Sequence, residues 1–172
     1  LHFVSTDVYG QRVIQMGEEP WRVLVSGAPS LDNITTMTLL SKAELERAFD
    51  LDLSKPTLMV TYHPVTLEYE ETGNQIHEIL AALDIVDFNI VITYPNADTH
   101  SRVIIEMIDQ FAERQEKARI VDNLGTQAYF SLMSHAAAMV GNSSSGIIEA
   151  ASFKLPVVNI GNRQLGRIRS GN

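Results

Sequence analysis

Short apolar runs alternate with segments of amphipathic helical pattern in this chain. The runs are mostly continuous, which is typical of strands that a parallel sheet buries on both faces. Seven runs are predicted as strands: residues 1–4, 22–25, 57–62, 89–93, 119–121, 138–140 and 157–160. The pattern therefore indicates a mainly parallel sheet.

Five segments between these runs are predicted as helices: residues 42–49, 75–85, 101–113, 126–134 and 144–152. Ser41 and Glu44 form a capping-box pattern at the start of the first helix. Residues 75–85 place four apolar side chains on one stripe with the period of an α-helix. Residues 27–38 are predicted as a turn-rich connection. The alternation predicts an α/β protein with a Rossmann-like, three-layer α/β/α domain.

The amino-acid composition excludes several kinds of ligand and catalytic chemistry. The 172 residues are 45% hydrophobic with a formal net charge of −8, which argues against nucleic acid because phosphate neutralisation needs clustered Lys and Arg. The chain has no cysteine, which excludes disulfides, thiolate catalysis and Cys-ligated zinc. The histidines lack metal-ligand spacing, and no apolar run approaches ~18 residues. No metal, nucleic-acid or membrane partner is therefore predicted, and we expect a cytoplasmic protein.

The two ends of the sequence suggest a piece of a larger protein. The chain opens on Leu1 inside a strand-like run, and it stops at Asn172 after a glycine-rich, irregular tail. We expect residues 1–17 to be a strip of a preceding domain or an interdomain connection. Residues 18–172 are expected to form the Rossmann-like domain, without its final helices.

The most informative motif is GNSSSGIIE, from Gly141 to Glu149. It follows an apolar run and precedes a helix-compatible run, so it predicts a strand, a Gly/Ser-rich turn and a helix. Free N–H groups and serine hydroxyls at a helix N-terminus suit a phosphate. Glu149 could then accept hydrogen bonds from vicinal ribose hydroxyls. The alternative is an ordinary helix N-cap with a small turn.

Polar residues follow two other predicted strands. His63, in HPVT, comes directly after residues 57–62, where it could donate to a phosphate or act as an acid or base. Asn96 and Asp98, in YPNAD, follow residues 89–93 and could line the same edge. The alternatives are a surface histidine before a turn and plain turn formation, which is favoured for Asp98.

Two further segments carry candidate ligand contacts. Arg163 and Arg167, in NIGNRQLGR, follow the last predicted strand and could pair with diphosphate oxygens, or could belong to a solvated basic loop. Residues 126–134 carry Tyr129 and Phe130, and one aromatic ring could stack on a base. Core packing is the more common role of an aromatic residue at helical spacing.

Together these motifs resemble a known family. HPVT, YPNAD, GNSSSGIIEA and NIGNRQLGR, in this order, are similar to segments of the hydrolysing UDP-N-acetylglucosamine 2-epimerases, as are LHFVST and VSGAPSLDNI. The branch resembled is the one that feeds sialic acid synthesis. The resemblance implies one half of a glycosyltransferase-B type enzyme, whose two Rossmann-like domains enclose UDP-GlcNAc and which is expected to be a homo-oligomer.

The resemblance also implies a reaction and roles for residues. UDP is eliminated to give 2-acetamidoglucal, water adds to give N-acetylmannosamine, and no cofactor is needed. His63 is implied near the leaving group, as the catalytic residue. Five residues are implied in UDP binding, and three more are expected to line the cleft: Ser143, Ser144, Glu149, Arg163 and Phe130, then Asn96, Asn142 and Arg167. The family's acid/base carboxylates lie mainly in the missing amino-terminal domain, so the fragment should bind UDP without turnover.

Three alternatives stay open at this point. A glycosyltransferase with the same two-domain arrangement would share the phosphate-binding turn and the ribose-binding glutamate. A non-catalytic regulatory domain would bind the nucleotide only. Within the family, the substrate could be a 2,4-diacetamido UDP-sugar of the legionaminic acid pathway rather than UDP-GlcNAc.

Overall fold

The computed structural model describes residues 1–96 and 101–172, so the predicted role of Asp98 lies outside the described residues. The chain divides into two compact units, Leu1–Met37 and Thr38–Asn172. The first unit therefore extends 20 residues beyond the expected boundary at residue 17. The assignment of residues 1–17 to a preceding domain stays a prediction.

The first unit is a βαβ arrangement. Strand β1 (His2–Val4) pairs in parallel with β2 (Val23–Val25), and helix α1 (Asp7–Gln15) connects them before a 3₁₀ turn at Pro20–Arg22. Helix α2 (Ser30–Thr36) follows. The prediction of a turn-rich connection over residues 27–38 is wrong at this point, because this run of Ser, Asn and Thr forms two helical turns.

The second unit is built on a five-stranded sheet in the order β5-β4-β3-β6-β7. Every pairing is parallel. The strands are, in chain order, β3 (Thr57–Thr61), β4 (Asn89–Thr93), β5 (Ala118–Val121), β6 (Ala138–Gly141) and β7 (Val157–Asn159). The predicted parallel sheet and the Rossmann-like α/β fold are confirmed.

Five α-helices accompany this sheet in the described part of the second unit. They are α3 (Lys42–Phe49), α4 (Thr72–Asp84), α5 (Ser101–Arg114), α6 (Gly125–His135) and α7 (Ser145–Ile148). Helix α3 begins with the predicted capping box: Ser41 Oγ accepts from the Glu44 N–H, and the Glu44 carboxylate accepts from the Ser41 N–H. The apolar stripe of α4 is buried as predicted, and α5 adds Ile104, Ile108 and Phe111 to the same core.

One predicted helix is divided in the structure. The expected helix over residues 144–152 is α7, of four residues, followed by a 3₁₀ turn at Ala150–Phe153. Glu149 lies at the junction, with φ −100° and ψ −36°. Bonds of i→i+3 spacing, such as Ser152 N–H to Glu149 O at 2.9 Å, tighten the chain here. Only one α-helical turn therefore contributes a dipole at the Gly/Ser-rich turn.

The strand order reverses between β3 and β6. From β3 the chain proceeds outwards through β4 and β5, then returns to place β6 on the other side of β3. The carboxyl ends of adjacent strands diverge at such a switch point, and ligands of open α/β sheets bind in the resulting crevice. The residues that follow β3 and β6 are therefore the first to consider as a site.

Gly141, the last residue of β6, allows the two central strands to approach at this point. Its φ is +139°, and a Cβ added there would lie 1.9 Å from the carbonyl oxygen of Thr61. Both the backbone conformation and the lack of space restrict this position to glycine. The end of β6 is thus held directly against the end of β3.

We predict that Gly141→Ala lowers the free energy of unfolding by at least about 3 kcal/mol, because it combines a strained φ with a backbone clash. Urea denaturation of the 172-residue chain measures the change. Gly73→Ala is the control, since an added Cβ at Gly73 in α4 would meet no described atom within 4 Å apart from its chain neighbours and the backbone of its own helix. This substitution should stabilise the chain by up to about 1 kcal/mol. Equal midpoints for Gly141→Ala and the parent chain would contradict the prediction.

Candidate functional site at the switch point

Asn142 joins the ends of the two central strands. Its Oδ1 accepts from the His63 N–H at 2.7 Å, and its Nδ2 donates to the His63 carbonyl at 2.8 Å. Asn142 is completely buried and His63 is 6% exposed. The structure therefore brings together His63 and the GNSSSG turn, which the sequence places 79 residues apart.

The His63 ring is held by a residue that follows β4. The backbone N–H of Asn96 donates to His63 Nδ1 at 3.2 Å, and Ser101 Oγ donates to the Asn96 carbonyl at 2.6 Å. Because Nδ1 accepts this bond, the neutral imidazole carries its proton on Nε2. Asn96 thus lies at the same sheet edge as His63, as expected, and its contact is made through the main chain.

The Gly/Ser-rich turn follows directly after Asn142. Ser143 and Ser144 are half-buried, and Ser143 Oγ accepts from the Ser145 N–H at 3.3 Å. Ser144 is the N-cap residue of α7, but its side chain makes no capping hydrogen bond. The two serines that the sequence assigns to phosphate binding therefore follow directly after the residue that contacts His63.

Tyr129 and Glu149 share the corner next to this turn. Glu149 is 8% exposed. Burial raises the pKa of Tyr129 above its ordinary value, hydrogen bonds with Ser145, Ser143 and Thr61 oppose this shift, and the charge of Glu149 adds to it. The tyrosine hydroxyl thus lies among the groups at the ends of both central strands. Sequence reasoning considered Tyr129 only as a possible stacking ring, and helical spacing gave no sign of its polar contacts.

Phe130 faces the interior. It is 5% exposed, and its ring lies 5.8 Å from that of Phe153 and 6.3 Å from that of Tyr129, between centroids. These are the contacts of a core residue, the alternative that the sequence left open, and they disfavour the stacking role given to Phe130. Neighbouring residues on α6 differ by about 100° in direction, so Tyr129 and Phe130 occupy different surroundings.

The loop after β7 is bonded to the same turn. Arg163 Nη1 donates to the Asn142 carbonyl at 3.1 Å, and Gln164 Nε2 donates to the same oxygen at 2.8 Å. Gln164 is 1% exposed, and its Oε1 has no hydrogen-bond partner among the residues that the structure describes. Arg167 is exposed, and its side chain is not brought into this cluster by any hydrogen bond among the described residues. Gln164 was missed because nothing in the local pattern predicts its burial.

In the described ranges, 1–96 and 101–172, no three His, Asp or Glu side chains are grouped so that they could hold a metal ion. Nor does this part of the chain contain a helix long and apolar enough to cross a membrane.

Comparison with known proteins identifies the family. The family model described as UDP-N-acetylglucosamine 2-epimerase matches residues 1–172. The chain belongs to the UDP-N-acetylglucosamine 2-epimerase family. The resemblance carried by HPVT, GNSSSGIIEA and NIGNRQLGR is therefore confirmed.

Three relatives in this family differ in the substrate that their names give. The chain is 42% identical to the GDP/UDP-N,N'-diacetylbacillosamine 2-epimerase (hydrolyzing) of Campylobacter jejuni, over 100% of its own length and 45% of that protein. It is 36% identical to the UDP-N,N'-diacetylbacillosamine 2-epimerase (hydrolyzing) of Legionella pneumophila, with 99% and 45% covered. It is 30% identical to the UDP-N-acetylglucosamine 2-epimerase of Neisseria meningitidis, with 97% and 44% covered. The chain thus spans a little under half the length of these relatives.

Solved structures of other proteins share the fold of this chain. The S. aureus MnaA–UDP structure superimposes with a TM-score of 0.72 at 15% identity, covering 94% of this chain and 42% of that one. The Neisseria meningitidis UDP-GlcNAc 2-epimerase bound to UDP-GlcNAc gives a TM-score of 0.70 at 20% identity, covering 92% and 43%. This chain therefore has the fold of about half of each of these structures. The prediction that it forms one half of a glycosyltransferase-B type arrangement is confirmed.

Proposed function

We propose that this chain is the nucleotide-binding half of a hydrolysing 2-epimerase that acts on a UDP-linked 2-acetamido sugar. The observation that carries the proposal is the Asn142 contact, which joins His63 to the GNSSSG turn at the switch point of the sheet. A leaving-group donor and a phosphate-binding turn are the two parts that departure of a nucleoside diphosphate requires. Membership of the epimerase family supports the same reaction.

The nucleotide would lie along the carboxyl edge of the sheet. Ser143 and Ser144 would hold the diphosphate through their hydroxyl and N–H groups, with the Arg163 guanidinium close by as a counter-charge. Glu149 would accept hydrogen bonds from the ribose hydroxyls. The Gly/Ser-rich turn, rather than a long helix dipole, supplies the phosphate site, since α7 is one turn long.

The reaction would begin with loss of the nucleotide. As the sugar C1–O bond breaks and a base removes the C2 proton, negative charge grows on the β-phosphate, and the Nε2–H of His63 would donate to it. Addition of water to the resulting 2-acetamidoglucal gives the free 2-epimeric sugar, so the sugar nucleotide and water become UDP and that sugar. The base would come from the preceding domain of the whole protein.

The sugar is proposed from the relatives. Those at 42% and 36% identity are named for N,N'-diacetylbacillosamine, and the one at 30% is named for N-acetylglucosamine. We therefore propose the 2,4-diacetamido sugar nucleotide as the first substrate and UDP-GlcNAc, with N-acetylmannosamine as product, as the second. Because one relative's name includes GDP as well as UDP, both nucleotides belong in the binding test. A cytoplasmic location and a homo-oligomeric whole protein stay predictions.

We predict that the full-length protein converts UDP-N,N'-diacetylbacillosamine faster than UDP-GlcNAc, and that each reaction releases UDP and a free 2-epimeric sugar. Product analysis by mass spectrometry and NMR, with both substrates at equal concentration, measures this. The isolated 172-residue chain should give no product, since it lacks the opposing carboxylates. A glycosylated acceptor would identify a glycosyltransferase, and nucleotide binding without turnover by the full-length protein would identify a regulatory domain.

We predict that Glu149→Ala weakens UDP binding by about 1.5–3 kcal/mol, because a carboxylate accepting two hydroxyl donors makes charge-assisted bonds. Calorimetry with UDP, and with GDP in parallel, measures the change. Glu116→Ala is the matched control, since Glu116 is exposed just before β5, at the amino edge of the sheet, and its loss should leave affinity unchanged. Unchanged UDP affinity in Glu149→Ala would remove Glu149 from the site.

We predict that His63→Ala lowers kcat of the full-length protein by about 10²–10⁴, the usual effect of a positioned acid/base group. UDP affinity should fall much less, because the charge on the β-phosphate is greatest in the transition state. Steady-state kinetics and calorimetry provide the two numbers. His77→Ala, on the exposed face of α4, is the control. A loss of UDP affinity as large as the loss of kcat would contradict a transition-state role.

A further inference from the structure

The Asn142 side chain continues the pairing of β3 and β6 beyond the point where their backbones can pair. The Asn142 N–H donates to the Thr61 carbonyl at 3.1 Å, and after this bond the chain turns away into the GNSSSG segment. The side-chain amide then takes the place of the next peptide group, accepting from the N–H of His63 and donating to its carbonyl. A carboxamide can do this because it carries the same donor and acceptor as a peptide.

The main chain of Asn142 is also fixed by hydrogen bonds. Its main-chain carbonyl accepts from both Arg163 and Gln164, and Gln164 is buried. Asn142 therefore contacts His63, in the loop after β3, through its side chain, and it contacts the loop after β7 through its main-chain carbonyl. The phosphate-binding residues Ser143 and Ser144 are the next two in the chain, so the same residue sets where their turn begins.

We propose that Asn142 is a positioning residue that holds His63 in register with the phosphate-binding turn. This inference rests on the proposed function. Asn142 is completely buried and both polar atoms of its amide are bonded to His63, so it acts on the reaction through the histidine and not by touching substrate. Displacement of a catalytic group by about 1 Å can lower a rate about 10²-fold. The two hydrogen bonds that fix the His63 main chain should therefore affect kcat.

Asn142→Asp separates this role from simple stabilisation of the fold. Aspartate retains an acceptor for the His63 N–H but, when ionised, presents a lone pair instead of a donor to the His63 carbonyl. A protonated aspartic acid has one acceptor and one donor, so it restores the asparagine pattern. Burial raises the pKa of a carboxyl group at this position, and the Arg163 guanidinium, which bonds to the main-chain carbonyl of the same residue, opposes that shift. Activity of Asn142→Asp should therefore recover as the pH is lowered.

The test is a double-mutant cycle in the full-length protein, with kcat and the Kd for UDP measured for Asn142→Asp, His63→Ala and the double variant. We expect Asn142→Asp to lower kcat about 10–100-fold at pH 8, to change the Kd for UDP less than threefold, and to add no further loss of kcat in the His63→Ala background. We also expect the ratio of its kcat to that of wild type to rise towards acid pH. Asn89→Asp is the matched control, because its amide also donates to a backbone carbonyl, that of Asp52 at 2.7 Å, at the other end of the sheet.

Two results would overturn the proposal. If Asn142→Asp lowered kcat by the same factor in the wild-type and His63→Ala backgrounds, Asn142 would act independently of the histidine. A flat kcat ratio across the pH range would show that the donor to the His63 carbonyl is unimportant.

A spectroscopic measurement decides the matter even if the reaction assigned above is wrong. The ¹⁵N resonances of the His63 ring in the full-length protein should shift in Asn142→Asp and stay unchanged in Asn89→Asp. Only the first substitution removes a hydrogen bond to the main chain of His63. Absence of product from wild type would overturn the proposed function, while unchanged His63 resonances would overturn the positioning role.

Discussion

The contact between the ends of β3 and β6 is the constraint on which the site depends. Gly141 has no side chain, so its Cα can lie against the Thr61 carbonyl, where a Cβ would be 1.9 Å away. With the two strand ends this close, the Asn142 amide reaches both polar groups of the His63 main chain. Loops attached to separate strands would otherwise be free to move apart. Here one glycine and one asparagine join them.

Burial makes this arrangement rigid. The Asn142 amide, the His63 main chain and Gln164 are all shielded from water. Because water could not replace a missing hydrogen bond there, each loss would destabilise the folded state. The same low-dielectric surroundings raise the pKa of Tyr129 and keep its hydroxyl neutral beside Glu149. A polar network of this kind sits on a large apolar core formed by β3, β4, α4 and α5. The core fixes the strands, and the network fixes the loops that follow them.

The division of the expected helix at Glu149 has a consequence for ligand binding. A continuous helix over residues 144–152 would have aligned its peptide dipoles on the Gly/Ser-rich turn. In the structure one helical turn is followed by a 3₁₀ turn, and Glu149 takes its place at the junction, with φ −100°. Under the proposed function, recognition of a phosphate at this edge depends on individual hydroxyl, N–H and guanidinium groups, and Asn142 helps to set their positions.

Local sequence determined most of the strands and helices of this protein, except α2 and the division of the helix at Glu149, and tertiary structure decided its site. The strands, the capping box of Ser41 and Glu44 and the buried stripe of α4 were predictable because each depends on residues close together in the chain. Motifs also sufficed to predict the family and the edge at which His63 and Ser143 lie, and the continuous apolar runs sufficed to predict the parallel sheet. The Asn142 amide on His63, the Gln164 contact and the different surroundings of Tyr129 and Phe130 could not be predicted. They arise from pairings across many intervening residues, 79 in the case of His63 and Asn142, and no local pattern encodes which strands become neighbours.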